Sequence, residues 1–208
     1  NWIEDFLRNR TQFVKINNSV SSDTRVTSGV PQGSVVGPTL FIYFINDMPE
    51  VVDCMVRIFA DDTNAYTTVE NDDKRKLLQD SIDKLVQWTD KWLLHFNSTK
   101  CKVIHFGKKN PNFDYFMKDG ATVNLLESVH SEKDLGVIID EDLTFENHIN
   151  DVVKRANRIS GLLIRTITYK NQTIMVPLFK ALVRPILEYG NAVWCPKLKK
   201  HIISIENV

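Results

Sequence analysis

Two adjacent carboxylates separate two short strand-like runs in the first third of the sequence. Residues 56–60 are apolar except for Arg57. Asp61 and Asp62 follow directly, and residues 64–69 form the second run. Strand-like runs on both sides of such a pair predict a β-hairpin with the acids at its turn. Because neighbouring carboxylates repel each other, the pair favours a hard divalent cation such as Mg²⁺. A solvated turn is the alternative reading of an Asp-Asp pair.

A turn-rich segment precedes this hairpin. It contains the turn-forming residues Gly29, Pro31, Gly33, Gly37 and Pro38. These residues predict sharp backbone turns and close approach of a ligand. The apolar segment 38–48 then predicts a helix buried on most sides, which Pro49 ends. A glycine-rich turn leading into a helix can bind phosphate or the polar edge of a ligand, and a plain turn is the alternative.

Further motifs follow in a fixed order over almost the whole chain. They include GVPQGS at 29–34, INDMP at 45–49, FADDT at 59–63, KDLGVIID at 133–140 and LVRPILEYG at 182–190. In this order they resemble the reverse transcriptase of non-LTR retrotransposons, of the jockey or CR1-like kind. Any one motif is weak evidence, but several in the family's order make chance agreement very improbable.

This resemblance implies roles for the acidic pair and the turn-rich segment. Asp61 would bind a catalytic Mg²⁺ or Mn²⁺ ion, and Asp62 would help to position the metal or the primer end. The nucleotide- and template-binding loop would be Gly29, Pro31, Gln32 and Gly33. Nucleotidyl transfer of this kind uses two metal ions about 4 Å apart, held by carboxylates.

The resemblance also singles out a lysine. Lys100 lies where the family's motif D places a lysine near the triphosphate, as a proton donor to pyrophosphate. Lys102 is the competing position, and a solvated loop lysine is the alternative.

Charge is unevenly distributed although the chain has a formal net charge of zero. Residues 40–90 hold eleven acidic and five basic residues, whereas residues 151–208 hold ten basic and three acidic ones. An acidic region suits cation binding, and a basic region suits a nucleic-acid backbone. The basic candidates are Lys154, Arg155, Arg158 and Arg165. The alternative is that these charges only solvate helices.

The pattern of elements predicts an α+β fold that becomes all-helical near residue 143. The resemblance implies that residues 1–143 are a partial polymerase palm and residues 144–208 an all-helical, thumb-like region. We expect a small antiparallel sheet with helices 38–48 and 71–94 on one face. Asn71 and Asn171 are predicted helix caps, Thr144 is a third, and Pro185 predicts a kink or break. Residues 11–26 predict a strand, a turn at Asn17 and a returning strand, and residues 135–139 another strand.

The sequence departs from the family where a third catalytic carboxylate is expected. That acid belongs to an earlier strand, and neither Asp5 nor Asp23 follows an apolar strand. The chain also begins with Asn1 rather than methionine. We therefore predict a fragment of an RNA-directed DNA polymerase, inactive alone, whose partners are an RNA template, a DNA primer, deoxynucleoside triphosphates and the missing upstream part of its polypeptide.

Two alternatives remain at this point. One is a degenerate or co-opted module that binds nucleic acid or protein without catalysis, and the other is an unstable remnant with an exposed core. Three widely spaced cysteines and five histidines without ligand spacing argue against a disulfide framework and a zinc site. No signal peptide or membrane-spanning run is present, so the predicted location is intracellular, in the nucleus or cytoplasm.

Overall fold

The structure, a computed structural model, describes residues 2–208 and divides into two compact units. The first unit ends at His95, and the second begins at Phe96. Helices and short strands occur in both, which confirms the predicted α+β class.

The first unit carries the acidic hairpin. In chain order its elements are α1 (Trp2–Leu7), β1 (Thr11–Gln12), β2 (Lys15–Ile16), β3 (Ser19–Val20), β4 (Thr24–Arg25), α2 (Gly37–Ile45), a 3₁₀ helix (Met48–Val51), β5 (Met55–Phe59), β6 (Asp62–Tyr66) and α3 (Asp72–Trp92).

Residues 11–25 form a strand–turn–strand arm whose side chains are all exposed. In this arm β1 pairs antiparallel with β4, and β2 pairs with β3 around Asn17. Asn17 has a φ of 52°, a left-handed conformation that asparagine tolerates better than most residues. The predicted strand, turn and returning strand are therefore confirmed.

Helix α3 is capped and packed as the sequence predicts. The Asn71 side chain accepts a hydrogen bond from the Lys74 backbone N–H at 3.0 Å. Trp88 is 5% exposed, and its indole N–H donates to Asp47 Oδ1 at 3.1 Å. That bond ties α3 to the residue just before the 3₁₀ helix.

The prediction that the helix after Pro38 is buried on most sides is wrong. Gly37 and Ile45, two turns apart on one face of α2, are buried, whereas Ile42 and Tyr43 are exposed, the latter by 84%. Apolar composition favours burial, but burial also needs packing partners, and the described residues cover one face of α2 only.

The second unit places short strand pairs before a set of helices. Its elements are β7 (Lys102–Val103), β8 (Phe116–Asp119), β9 (Thr122–Leu125), β10 (Glu127–Ser128), β11 (Ser131–Asp134), β12 (Val137–Asp140), α4 (Glu146–Thr166), α5 (Gln172–Leu178), a π-helix (Phe179–Val183), α6 (Arg184–Glu188), α7 (Asn191–Trp194) and α8 (Lys199–Glu206).

Strands pair only two at a time within residues 2–208. The antiparallel pairs are β1–β4, β2–β3, β5–β6, β8–β9 and β11–β12, and β7 pairs with β10 in parallel. The expected sheet that carries the acidic hairpin therefore consists, among the described strands, of the two strands of the hairpin itself.

The core of the second unit joins β12 to α4 and α7. Val137, Ile149, Val152 and Trp194 form one buried cluster. The Trp194 indole N–H donates to the Tyr189 carbonyl oxygen at 2.7 Å, and its ring meets the His148 ring edge-on. The apolar stripe of α4 thus faces inward as predicted.

A tight turn joins β11 to β12. Leu135 and Gly136 have φ values of 45° and 88°, and a two-residue hairpin turn of this kind favours glycine. The strand predicted over 135–139 therefore starts two residues later, at Val137. The Tyr189 hydroxyl donates to the Leu135 carbonyl oxygen at 2.9 Å and holds the turn.

Two of the three predicted caps, Asn71 and Asn171, hold unchanged, and the α-helix is broken before Pro185 as predicted. Asn171 caps α5 by accepting a hydrogen bond from the Ile174 N–H at 2.9 Å. A π-helix interrupts the next helical stretch just before Pro185, which lacks the N–H that an α-helix needs. The α4 cap lies one residue after Thr144, because the Asp140 carboxylate accepts the backbone N–H groups of Thr144 and Phe145.

His148 makes the stability of the second unit sensitive to pH. Its side chain is 1% exposed, and burial, together with the Arg155 charge, lowers its pKa. Its Nδ1 accepts the Ile138 N–H at 3.2 Å. Because the unfolded chain then binds more protons, we expect stability to fall as the pH drops below about 6.5, the unfolded value.

Urea unfolding at about pH 7.5 and 5.5 measures this effect. We expect His148→Gln to lose less stability than the parent chain between the two pH values, and His95→Gln, at an exposed site, to lose as much. His130 acts in the opposite direction because Glu141 raises its pKa. The difference between His148→Gln and the parent is therefore the decisive quantity, and equal losses would contradict the prediction.

Two further features of residues 2–208 concern membrane-spanning helices and cysteines. In that range no helix combines the length and the apolar character needed to cross a bilayer. Cys54, Cys101 and Cys195 are all free thiols.

Candidate active site

The acidic pair lies at the tip of a two-stranded hairpin. β5 and β6 pair in register from Met55 opposite Tyr66 to Phe59 opposite Asp62, which leaves Ala60 and Asp61 as the two-residue turn. Asp61 is thus in the turn and Asp62 is the first residue of β6. The predicted hairpin is confirmed, with one acid in its turn and the other beside it.

Both carboxylates are exposed and have no protein partner. Along β5 and β6, side chains alternate between a packed face, which includes buried Val56, and an open face, which includes Phe59 and Asp62. Within the described range, neither the Asp61 nor the Asp62 carboxylate has a hydrogen-bond or ion-pair partner. Their oxygens are therefore available to an external ligand.

The backbone is strained at Ala60, the turn residue that precedes Asp61. Ala60 has a φ of 54°, although an alanine side chain disfavours this left-handed conformation by roughly 1–2 kcal/mol. A two-residue hairpin turn requires positive φ at its first central position, and the strand pairing on either side imposes it. Such strain is typical of residues held in place for a ligand.

The two acids supply part of a metal-binding set. Mg²⁺ is commonly bound by one or two carboxylates, with water and substrate phosphates as its other ligands. Asp61 and Asp62 fit that description, since both are exposed oxygen donors. No group of three or more His, Cys, Asp or Glu side chains in the described part of the chain could hold a metal ion.

The turn-rich segment 29–37 forms a loop closed by a serine. The Ser34 hydroxyl donates to the Pro31 carbonyl oxygen at 2.7 Å and accepts the Gly37 N–H at 3.0 Å. Gly29 and Gly33 have φ values of 73° and 81°, which glycine adopts without steric cost. Gln32 and Gly33 are exposed in this loop, which ends where α2 begins.

Gly37 is predicted to tolerate no side chain. A Cβ at this position would lie 2.7 Å from Ser34 Oγ and 3.2 Å from the Pro31 carbonyl oxygen. Gly37→Ala should therefore open the loop and reduce the free energy of unfolding of the first unit by about 1–3 kcal/mol, as overpacking does. Urea unfolding followed by tryptophan fluorescence measures the loss.

A double-mutant cycle separates this clash from a general glycine effect. In the Ser34→Ala background the serine oxygen is absent. Gly37→Ala should therefore lower the free energy of unfolding less in that background than in the parent chain. An equal cost in both backgrounds would contradict a clash with Ser34.

Lys100 ends a turn in the second unit. Asn97 Oδ1 accepts hydrogen bonds from the Thr99 N–H and hydroxyl, and the Lys100 N–H donates to the Asn97 carbonyl oxygen at 2.9 Å. The Lys100 side chain is exposed and has no partner in residues 2–208. Lys102 instead lies 2.7 Å from Glu132 Oε2, whose hydrogen bond and charge raise the pKa of this lysine.

A buried serine anchors the Lys100 turn to the hairpin β8–β9. Ser98 is 5% exposed; its hydroxyl donates to Asp119 Oδ2 at 2.9 Å and accepts from Asn124 Nδ2 at 3.0 Å. The Asn-Ser-Thr run is the sequence signal for such a turn, but its partners Asp119 and Asn124 could not be identified from the sequence.

Helix α4 presents a basic stripe to solvent. Lys154, Arg158 and Arg165 are exposed and recur at helical spacing on one face, with no ion-pair partner within 2–208. Arg155 lies on the flank and pairs with Asp151 at 2.9 Å. The three unpaired cations give this face a net positive charge.

The predicted site residues divide between the two units. Asp61, Asp62 and the loop residues Gly29, Pro31, Gln32 and Gly33 belong to the first unit. Lys100, Lys154, Arg155, Arg158 and Arg165 belong to the second.

Comparison with known proteins gives one family. The profile described as "Reverse transcriptase (RNA-dependent DNA polymerase)" matches residues 1–156. The chain is 28% identical to an RNA-directed DNA polymerase from mobile element jockey of Drosophila melanogaster, over 98% of this chain and 23% of that protein. It is 31% identical to the jockey protein of Drosophila funebris, over 98% of this chain and 23% of that protein.

A third relative is a probable RNA-directed DNA polymerase from transposon X-element of Drosophila melanogaster, with 26% identity over 99% of this chain and 24% of the relative. The chain thus spans about a quarter of the length of the curated relatives that it matches. No solved structure matches it at a significant level.

Proposed function

Because the chain belongs to the reverse transcriptase (RNA-dependent DNA polymerase) family, we propose that it provides part of the active site and nucleic-acid surface of a retrotransposon polymerase that copies RNA into DNA. The observation that carries this proposal is the pair of exposed, unpartnered carboxylates of Asp61 and Asp62 at the hairpin tip. In this proposal residues 1–143 act as a partial palm and residues 144–208 as a thumb-like region. The nuclear or cytoplasmic location stays a prediction.

The family implies dependence on a divalent metal ion, and the acidic pair is where this chain would hold one. Bound Mg²⁺ or Mn²⁺ would activate the primer 3′-hydroxyl and neutralise the triphosphate. Asp61 and Asp62 would contribute oxygen ligands from a turn whose backbone is fixed by strand pairing on both sides. Fixed ligands need no reorganisation during the reaction, which is why a rigid hairpin suits this role.

The turn-rich segment 29–37, called the glycine-rich loop from here on, would bind the incoming nucleotide or its template base. Gln32 is exposed in this loop, and its amide can both donate and accept hydrogen bonds, as recognition of a base edge requires. Gly29 and Gly33 allow the backbone to approach the ligand closely. The Ser34 hydrogen bonds fix the loop on the side of α2.

Lys100 and the stripe on α4 would act on phosphates. The ammonium group of Lys100 is free to approach a triphosphate, whereas that of Lys102 is engaged by Glu132. Lys154, Arg158 and Arg165 would contact the backbone of a template–primer duplex. Contacts of this kind are independent of base sequence and weaken steeply with salt.

A binding experiment tests the phosphate contacts in this chain. Binding to an RNA template annealed to a DNA primer should weaken as salt rises. Replacing Lys154, Arg158 and Arg165 by glutamine should make the slope of log K against log salt shallower by about 3, one for each contact. A matched control removes the same charge in the same unit at Lys108, Lys109 and Lys118 and should leave the slope nearly unchanged.

An extension experiment separates the proposed function from the alternative. The chain alone should bind template–primer without extending it, because no group of three or more His, Cys, Asp or Glu side chains in its described residues could hold a metal ion. A chimera in which it replaces the matching segment of the Drosophila melanogaster jockey protein should extend the primer with Mg²⁺. A folded chimera that binds but never extends would favour a binding module without catalysis.

A further inference from the structure

Arg10 lies between α1 and the glycine-rich loop, and its side chain contacts both. Its Nε–H donates to the Leu7 carbonyl oxygen at 3.0 Å, and its Nη2 donates to the carbonyl oxygens of Ser28 at 3.4 Å and Gly29 at 2.5 Å. One guanidinium therefore joins the C-terminal end of α1 to the first residues of the loop. The backbone of Arg10 also accepts the Val26 N–H at 2.9 Å.

The loop has two anchors, one at each end. Ser34 fixes the end at α2, through Pro31 and Gly37. At the other end, within residues 2–208, the hydrogen bonds to the backbone of residues 27–30 all come from Arg10. Gly29, with a φ of 73°, has little conformational preference of its own, so its peptide orientation depends on an external partner.

The chemistry of the contact requires a guanidinium. Leu7, Ser28 and Gly29 present three carbonyl oxygens in two directions, and a planar group with five N–H donors can satisfy them together. A lysine ammonium is a single point of charge and cannot reach both sides at once. No carboxylate in the described part of the chain pairs with Arg10, so these carbonyls are its partners.

We propose that Arg10 is a positioning residue for nucleotide selection: it fixes the Gly29 peptide and thereby sets the position of Gln32 in the loop. The effect on nucleotide selection rests on the proposed function, in which Gln32 would meet the incoming nucleotide or template base. The positioning itself is a property of this chain and can be measured without any catalysis.

Amide hydrogen exchange in this chain tests the positioning directly. In Arg10→Ala the loop should open more often, so the amides of Ser34 and Gly37 should exchange about tenfold faster; these amides donate to the Pro31 carbonyl oxygen at 3.3 Å and to Ser34 Oγ at 3.0 Å. Arg10→Lys should fall between the parent and Arg10→Ala. Arg8→Ala, which removes an exposed arginine that pairs with Glu4, is the matched control and should leave the loop unchanged.

Primer extension by the jockey chimera tests the consequence. Arg10→Ala should raise KM for the deoxynucleoside triphosphate several-fold while kcat changes less, and Arg10→Lys should recover part of the loss. If Arg10 had only a structural role at the end of α1, Arg10→Ala would lower thermal stability without this effect on KM. If Arg10→Ala does not fold, the same comparison is made between Arg10→Lys and Arg8→Ala.

The two levels of failure are distinguishable. Unchanged exchange of the Ser34 and Gly37 amides in both Arg10 variants, or a KM effect no larger than that of Arg8→Ala, would overturn the positioning role. A parent chimera that folds but does not extend would instead count against the proposed function, and the exchange data would still decide whether Arg10 fixes the loop.

Discussion

Replacing Asp61 by asparagine should lower primer extension by the jockey chimera about 100- to 1,000-fold. A metal ion contributes several kcal/mol of charge stabilisation in the transition state, and each 1.4 kcal/mol corresponds to a factor of ten in rate. Asparagine keeps the size of the side chain but removes the negative charge that attracts the cation. Asp61 has no protein partner, so the folded hairpin should not be disturbed.

The matched control for this charge change is Glu70→Gln. Glu70 is an exposed acid of the same unit, without a partner in residues 2–208, and lies outside the hairpin strands. It should retain activity within about twofold, since a single exposed charge contributes little at a distance in salt. Extension that survives Asp61→Asn at the level of Glu70→Gln would remove Asp61 from the metal-binding set.

Asp62→Asn should reduce the same activity, and its geometry allows a finer comparison. Asp62 lies on the open face of the hairpin, opposite Phe59, whereas Asp61 lies in the turn itself. If both acids hold the metal, raising the Mg²⁺ concentration should restore part of the activity of either variant. If Mg²⁺ restores activity in only one of the two variants, the residue replaced in that variant is the metal ligand, and the other acid is a positioning group.

Trp194→Ala should be the most destabilising single change in the second unit, at about 3–5 kcal/mol, the usual cost of truncating a buried tryptophan. Trp194 is 1% exposed and belongs to the cluster with Val137, Ile149 and Val152. Its removal also leaves the Tyr189 carbonyl oxygen without its 2.7 Å hydrogen bond. Urea unfolding followed by circular dichroism measures the loss.

The neighbouring residue provides the control for this prediction. Val193 is 59% exposed on the same short helix, α7, so Val193→Ala should change the free energy of unfolding by no more than about 0.5 kcal/mol. Similar losses for the two variants would mean that Trp194 does not hold β12 and α4 together. The salt dependence of nucleic-acid binding should likewise change more in Trp194→Ala than in Val193→Ala, because α4 carries the basic stripe.

Local structure around the site could be predicted well from the sequence. The hairpin at Asp61 and Asp62, the turn at Asn17 and the caps at Asn71 and Asn171 all depend on residues within a few positions of one another. Turn and cap preferences arise from short-range sterics and hydrogen bonds, so they can be identified from the residues themselves.

Exposure was harder to predict because it depends on what the rest of the chain covers. The apolar sequence of α2 predicts burial, yet Tyr43 is 84% exposed. Its sequence specifies that burial would be favourable, and the path of the remaining chain determines which face receives a partner.

The sequence by itself determined the family motifs, the acidic hairpin and the alternation of its strands, because each follows from neighbouring residues. Only the tertiary structure decided that Arg10 holds Gly29, that Ser98 is fixed by Asp119 and Asn124, and that Tyr189 closes the turn at Leu135. These contacts join residues 19, 21, 26 and 54 positions apart. At such separations no local preference specifies the partner, and the packed chain brings the groups within hydrogen-bond distance.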